Sequence, residues 1–352
     1  MSRTLKCGIV GLGKMGGIRY RELLKHPATT VTHGADPNPD LFANYPDVRC
    51  TSDWRDVVAS DVDAVFVATP NAVTPVVIVE ALKAGKHVFS EKPPGRTVDD
   101  IETIIRAERE RPALKLKFGF NHRYHAGIME AKRIIDSGRL GHLLWVRGVY
   151  GKAGGHGFEH VWRSRKEMAG GGILLDQGIH MLDLFRFFCG DFVEIKSMVS
   201  TSYWPIDVED NAFALLRDTQ GRIAMVHSSS THWKHRFGLE LYLSDGYLSV
   251  NGILSSTRSY GDETITVARR RFDEGFNTGK PTEEVIYFDT DPSWELEIKD
   301  FVESCLDGTP IACGTSDDAH KVMKLVYAIY ENDEAFMATG NRVYESRPAQ
   351  RE

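Results

Sequence analysis

Several features that would narrow a function are missing from this sequence. Its 352 residues carry a formal net charge of −6, so it has no basic excess for holding phosphates, and no nucleic-acid partner is expected. The most basic run, Arg269-Arg270-Arg271, is followed by Asp273 and Glu274 and reads as a solvated strand end. Five cysteines (Cys7, Cys50, Cys189, Cys305, Cys313) are odd in number, widely spaced and without a Cys-x-x-Cys pair. That pattern excludes a disulfide framework and a zinc-finger spacing. No apolar run is long enough for a signal peptide or membrane span, so no membrane association is expected. A reduced, cytoplasmic setting follows. Internal repeats and low-complexity segments are also absent. The rest is ordinary for a globular protein, 42% hydrophobic and 26% charged, and the length suits two domains.

The first third alternates short apolar strands with helical patterns. Leu5 to Val10 is a strand, and Gly11-Leu12-Gly13-Lys14-Met15-Gly16 follows without a spacer. Strand, glycines and helix in that order are the context a dinucleotide loop requires. Gly11 permits the turn, Gly13 lets backbone approach a pyrophosphate, and Gly16 lets helix meet strand. Lys14 and Met15 open the helix, whose N-terminal amides suit phosphate. The next strand ends at Asp36, about twenty residues beyond Gly16, where an acid meets the adenosine ribose hydroxyls. A carboxylate there repels a 2′-phosphate, so NAD is favoured, with NADP possible. Asp36 also fits a turn-forming Asp-Pro-Asn-Pro, and both roles can hold together.

Strands at 63–69 and 87–90 end in Thr69-Pro70-Asn71 and Glu91-Lys92-Pro93-Pro94, with helices at 54–58 and 73–84. Ligands gather beyond the carboxyl ends of such strands, which assigns Gly11, Gly13, Gly16, Asp36, Thr69, Pro70, Asn71, Glu91 and Lys92 to one crevice. Lys92, pinned by two prolines, is a stiffly placed candidate proton donor if desolvation lowers its pKa; a surface loop lysine reads the same way.

Farther on, Gly170-Gly171-Gly172 opens an apolar helical run holding Asp176 and His180, four apart and thus on one helical face. A carboxylate beside an imidazole suits proton transfer. By itself the stretch equally fits a buried helix whose Asp and His only satisfy backbone groups. His156-Gly157-Phe158-Glu159-His160 matches a zinc-protease pattern, but the glycines at 154, 155 and 157 oppose the helix such a site needs. No metal is expected, and the segment reads as a substrate-covering loop in which Trp162 and Arg163 supply an apolar wall and a polar anchor.

Together the motifs Gly-Ile-Val-Gly-Leu-Gly-Lys-Met-Gly at 8–16, Thr-Pro-Asn at 69–71, Glu-Lys-Pro at 91–93 and Gly-Gly-Gly…Asp-x-x-x-His at 170–180 resemble the Gfo/Idh/MocA family (glucose–fructose oxidoreductase, inositol dehydrogenase, rhizopine catabolism). They keep that family's order across almost the whole chain; one departure is Thr74, where many members carry histidine. The resemblance implies an α/β protein. The parallel βαβ rhythm ends near residue 122, which sets a Rossmann dinucleotide-binding domain at 1–122 and an α+β domain at 123–352 built on an open, mainly antiparallel sheet. Packing of the C-terminal helices back on the first domain is an alternative. The resemblance also implies an NAD(P)-dependent oxidoreductase acting on a secondary alcohol of a sugar, cyclitol or nucleotide sugar. Lys92, Asp176 and His180 would be catalytic, and Asn121, His122 and Arg123 would lie near substrate. A homodimer or homotetramer through the sheet is implied as well. The rival functions are a non-catalytic NAD-binding regulator and an NAD-using glycoside hydrolase or lyase.

Alternating strands are expected at 143–150, 193–203, 211–216, 222–229, 239–243, 247–250 and 264–269. Helices are expected at 127–137, 293–306 and 316–337, with a helix stop at Gly340 and a frayed tail at 347–352.

Overall fold

The computed structural model describes residues 4–271 and 281–339; Asp273, Glu274, Gly340 and the tail 347–352 lie outside the described residues. Two compact units make up the chain. One comprises residues 1–121, 167–170 and 293–323, the other residues 122–166, 171–292 and 324–352.

The first unit holds a six-stranded sheet of β1 (Leu5–Val10), β2 (Thr29–Ala35), β3 (Arg49–Thr51), β4 (Ala64–Val67), β5 (His87–Glu91) and β6 (Leu116–Gly119), in the order β3-β2-β1-β4-β5-β6. Every pairing is parallel. The strands are short and apolar because both faces are covered; β4, Ala-Val-Phe-Val, is buried throughout. Order reverses between β1 and β4, the switch point where such sheets bind ligands. Phe66 and Phe89 stack at 5.2 Å, and Phe301 from the helix Ser293–Asp307 meets them edge-on at 5.4 and 5.6 Å.

The second unit is built on an eight-stranded sheet. Its strands are β7 (Leu143–Gly151), β8 (Phe192–Ser200), β9 (Asn211–Asp218), β10 (Ile223–Ser229), β11 (Arg236–Leu243), β12 (Gly246–Asn251), β13 (Glu263–Arg269) and β14 (Glu283–Phe288), in the order β14-β13-β12-β11-β7-β10-β9-β8. Only β7 and β10 run parallel. On one face lies the helix Ile179–Cys189, nearly every side chain of which is buried. Gly148 admits it: a Cβ there would stand 2.3 Å from Met181 Sδ. The other face leaves Trp145, Met198, Phe213, Leu215 and Met225 exposed.

Three expectations change. The strand expected to Tyr203 ends at Ser200, because the Asp210 carboxylate takes the next backbone N–H groups from Ser202 onward. The helix expected over 316–337 breaks at Asp333, whose carboxylate accepts from Phe336 N and caps a new helix, Glu334–Thr339. And β14, not expected, completes the sheet beside β13. No helix among the described residues is long and apolar enough to cross a membrane.

Candidate active site

In the first unit the glycine loop has the geometry its spacing foretold. Gly11 sits at φ +95°, and a Cβ there would meet Ala68 O at 2.4 Å, so only glycine fits. A Cβ on Gly16 would stand 1.9 Å from Gly11 O, the close helix–strand approach, while Gly13 opens onto empty space. The helix Lys14–Lys25 starts with no side-chain cap and no acid in its first turn. Its amide groups and dipole therefore offer an anion site. Lys14 is exposed there and Met15 half-buried. Asp36 accepts from Leu12 N and Asn38 N, both at 2.9 Å, and each oxygen keeps a lone pair for a ribose hydroxyl. This donor and acceptor set fits a nicotinamide dinucleotide. Tyr45, not foreseen from sequence, braces the loop by donating its hydroxyl to Leu12 O at 2.8 Å.

Beyond β4, the Thr69 and Thr74 hydroxyls lie 2.9 Å apart, so threonine at 74 closes the turn over Pro70. The Asn71 amide donates to Ala169 O at 2.8 Å. Beyond β5, Glu91 turns inward and accepts from Arg19 Nε at 2.6 Å, while Arg19 Nη2 lies 2.7 Å from Glu297. The Arg19 guanidinium lies 4.3 Å from the Phe89 ring centre and 4.8 Å from that of Trp294. Burial pushes the Glu297 carboxyl up to about 7 against the opposing pull of Arg19 and Lys117. Nearby, Lys117 pairs with Asp300 at 2.5 Å. Lys92 follows Glu91 directly, half-buried, with Pro93 and Pro94 buried behind it.

In the second unit Gly172 lets the chain pass hard against Glu209, whose backbone oxygen a Cβ would meet at 1.9 Å. The buried Glu209 carboxylate accepts from Gly172 N at 2.6 Å, Leu174 N at 3.0 Å and Tyr330 Oη at 2.7 Å. It thereby anchors the start of the helical run. The run is not a uniform α-helix. Residues Leu174–Gly178 form a π-helical turn and α-helix resumes at Ile179. The spacing from Asp176 to His180 thus crosses a wider turn than the one-face reading assumed, a correction. Asp176 Oδ2 accepts from Lys152 Nζ at 2.5 Å, and Oδ1 lies 3.3 Å from Arg163 Nε. His180 is buried and stacks on His122, ring centres 3.7 Å apart and 19° from parallel. His122 Nε2 shares a 2.9 Å hydrogen bond with the Tyr150 hydroxyl, and the Tyr150 ring meets that of Tyr260 at 5.5 Å. Burial raises both phenols well above their usual value, so they remain hydroxyls at neutral pH.

The other expected substrate residues are placed differently. Arg123 makes a buried bidentate pair with Asp183, at 2.8 and 2.5 Å, and Asn121, in the first unit, donates to Ser293 Oγ at 3.2 Å. Trp162 and Arg163 stay at the surface, the guanidinium 4.3 Å from the indole centre. The His156–His160 segment is no helix: Gly157 sits at φ +78° and a single 3₁₀ turn follows at Phe158–His160. Lys152, Tyr150 and Tyr260 were missed from sequence because the end of β7 and the turn before β13, far apart in the chain, meet only in the fold.

Comparison with known proteins identifies the family. Residues 5–119 match the oxidoreductase family with an NAD-binding Rossmann fold, and residues 128–249 match the GFO/IDH/MocA C-terminal domain. The levoglucosan dehydrogenase of Pseudarthrobacter phenanthrenivorans is 26% identical over 291 residues, covering 71% of this chain and 74% of that one. The inositol 2-dehydrogenase of Salmonella typhimurium is 34% identical over 154 residues, 41% of this chain and 45% of that one. A solved levoglucosan dehydrogenase in complex with NADH superposes with a TM-score of 0.82 at 21% identity, covering 96% of this chain and 98% of the other. The chain belongs to the Gfo/Idh/MocA oxidoreductases and carries their NAD-binding Rossmann fold.

Proposed function

We propose that this chain is an NAD-dependent dehydrogenase that interconverts a secondary alcohol and a ketone on a sugar, a cyclitol or the sugar of a nucleotide sugar. The observation that carries this reading is His180. A buried imidazole stacks face to face on a second imidazole, which is itself hydrogen-bonded to the buried Tyr150 hydroxyl. Such an imidazole is held in one orientation, and histidine exchanges protons near neutrality.

In the proposed reaction His180 takes the hydroxyl proton as general base. Lys92 stabilises the alkoxide that develops and assists the proton relay, and in the reverse direction His180 returns the proton to oxygen. Asp176, facing Lys152 and Arg163, hydrogen-bonds the substrate and sets the field around His180. Nicotinamide dinucleotide, when bound, supplies the acceptor for the hydride that leaves carbon. The Gly11–Gly16 loop holds its pyrophosphate, and Asp36 binds the adenosine ribose hydroxyls. Thr69, Pro70 and Asn71 shape the crevice beyond β4, and Glu91 fixes the strand end from which Lys92 projects. His122 backs His180, while Asn121 and Arg123 hold the turn that carries it. Trp162 and Arg163 offer the substrate a ring face and a charge.

The exposed outer sheet face supports a homodimer or homotetramer, with Met198 at 75% and Tyr287 at 70% exposure. We place the enzyme in the cytoplasm. The reading is tested by NADH formation across inositols, hexoses, uronates and nucleotide sugars. Product formed without net NADH would favour an NAD-using hydrolase or lyase. NAD binding without any turnover would favour a regulator.

A further inference from the structure

The loop following β7 carries a second cluster besides the charges that meet Asp176. Between Lys152 and Arg163 it crosses an aromatic ledge. A Cβ on Gly154 would stand 2.1 Å from Trp204 Cζ2, so glycine lets the loop lie directly on that indole. Phe158 meets the same ring at 4.9 Å. Trp204 then meets Tyr203 edge-on at 5.1 Å, and Tyr203 meets Trp233 at 4.7 Å and 79°. These rings form a corner, and its outer walls are open: Tyr203 is 47% exposed and Trp233 59%.

The ledge is a built feature. Asp210, wholly buried, accepts from the backbone N–H groups of Ser202, Tyr203 and Trp204 at 2.8, 2.7 and 3.0 Å. The Trp204 indole N–H donates to Ser230 O at 3.0 Å. Trp233 holds a φ of +54°, a left-handed conformation that bulky side chains avoid. A buried acid and a strained backbone thus keep large rings in water, where they gain less than in a core.

We propose that Tyr203, Trp204 and Trp233 form an outer subsite for a second pyranose ring, so that the substrate is a glycoside whose first ring is oxidised. The proposal rests on the dehydrogenase reading and names its substrate class. The C–H face of a pyranose is apolar and slightly positive, and it stacks on the negative face of an aromatic ring while its hydroxyls stay hydrated. A walled corner suits a ring better than it suits a flat protein contact. The loop that crosses the ledge also supplies Lys152 and Arg163 to Asp176, so one segment joins the ledge to the proposed site.

The test uses the full chain with NAD and compares kcat/KM for glucose and methyl glucoside with that for cellobiose, maltose and trehalose. The expected result is a preference of about tenfold or more for one disaccharide. Trp233→Ala and Tyr203→Ala should each erase that ratio, through KM rather than kcat. Monosaccharides preferred throughout, or a disaccharide ratio untouched by both variants, would overturn the subsite. So would a variant that alters the particle mass by light scattering while leaving the ratio intact, since the ledge would then be a contact between copies. If no sugar reduces NAD, the dehydrogenase reading fails separately. Saturation-transfer NMR with the same disaccharides and NADH then decides the subsite: transfer lost in Trp233→Ala supports it, and no transfer to wild type rejects it.

Discussion

The two units handle charge in opposite ways. In the first, Arg19 is 1% exposed and Glu297 is wholly buried, and with Glu91 they form a network closed by aromatic faces on both sides of the guanidinium. In the second, Asp176 is 16% exposed, and its partners Lys152 and Arg163 are 24% and 43% exposed. Glu297 is displaced much farther than an ordinary carboxyl, to about 7, yet no substrate can reach it. Its work is to hold Arg19, and through Arg19 the Glu91 end of β5 next to Lys92. Displaced acid–base behaviour alone would have named the wrong carboxylate. Access separates the two cases: closed charge positions its neighbours, and in the proposed function half-open charge meets the ligand.

The contrast is broken most sharply by His180→Ala. A loss of about 10²–10⁴-fold in kcat is expected, with the thermal midpoint little changed; a collapse of stability without a kinetic defect in the remaining folded protein would place His180 with the closed group. Arg19→Met should do the reverse. Removing one member of a buried charge group costs about 3 kcal/mol or more, read as a lower urea midpoint, with KM for substrate held in the protein that stays folded. Glu297 sharpens the comparison through pH. Its folded pKa lies above its unfolded value, so between about pH 4.5 and 7 the native state binds the extra proton. Stability is therefore lost as pH rises through that window, on the order of 1–3 kcal/mol. Glu297→Gln should flatten the loss; unfolding curves at pH 5 and pH 8 measure it, and an equal slope in both proteins would contradict the assignment. Smallest is Lys152→Met, which removes one of two cations from Asp176. About a tenfold fall in kcat/KM is expected in steady-state kinetics, with stability nearly unchanged.

Much of the first unit was legible because its chemistry is local. Gly11, Gly13 and Gly16 lie within one turn, and Asp36 follows at a fixed interval along the β2 path. Spacing therefore encodes their positions. The second unit was legible in outline only. Its alternating strands announced a sheet, yet the partners of Asp176 come from β7's end and from the loop after it, and spacing holds no record of that. Asp176 and His180 were read on one α-helical face, whereas the close approach of Gly172 to Glu209 accompanies a π turn at 174–178. Arg19 drew no reading, since nothing in the helix Lys14–Lys25 says that Glu91 and Glu297 enclose it. Tyr150 was read as a strand end and Tyr260 fell in no expected strand, and spacing does not record that the two rings meet.

The most direct measurement is absorbance of reduced nicotinamide with purified protein, NAD and NADP separately, across cyclitols, hexoses, glycosides and nucleotide sugars, with Lys92→Ala alongside. Expected is turnover with one polyol class, faster with NAD because the Asp36 carboxylate would repel a 2′-phosphate, and abolished in Lys92→Ala while NAD still binds. Turnover that survives in Lys92→Ala at the wild-type rate, or NAD binding with no reduction on any polyol, would contradict the assignment of the chemistry to Lys92, Asp176 and His180.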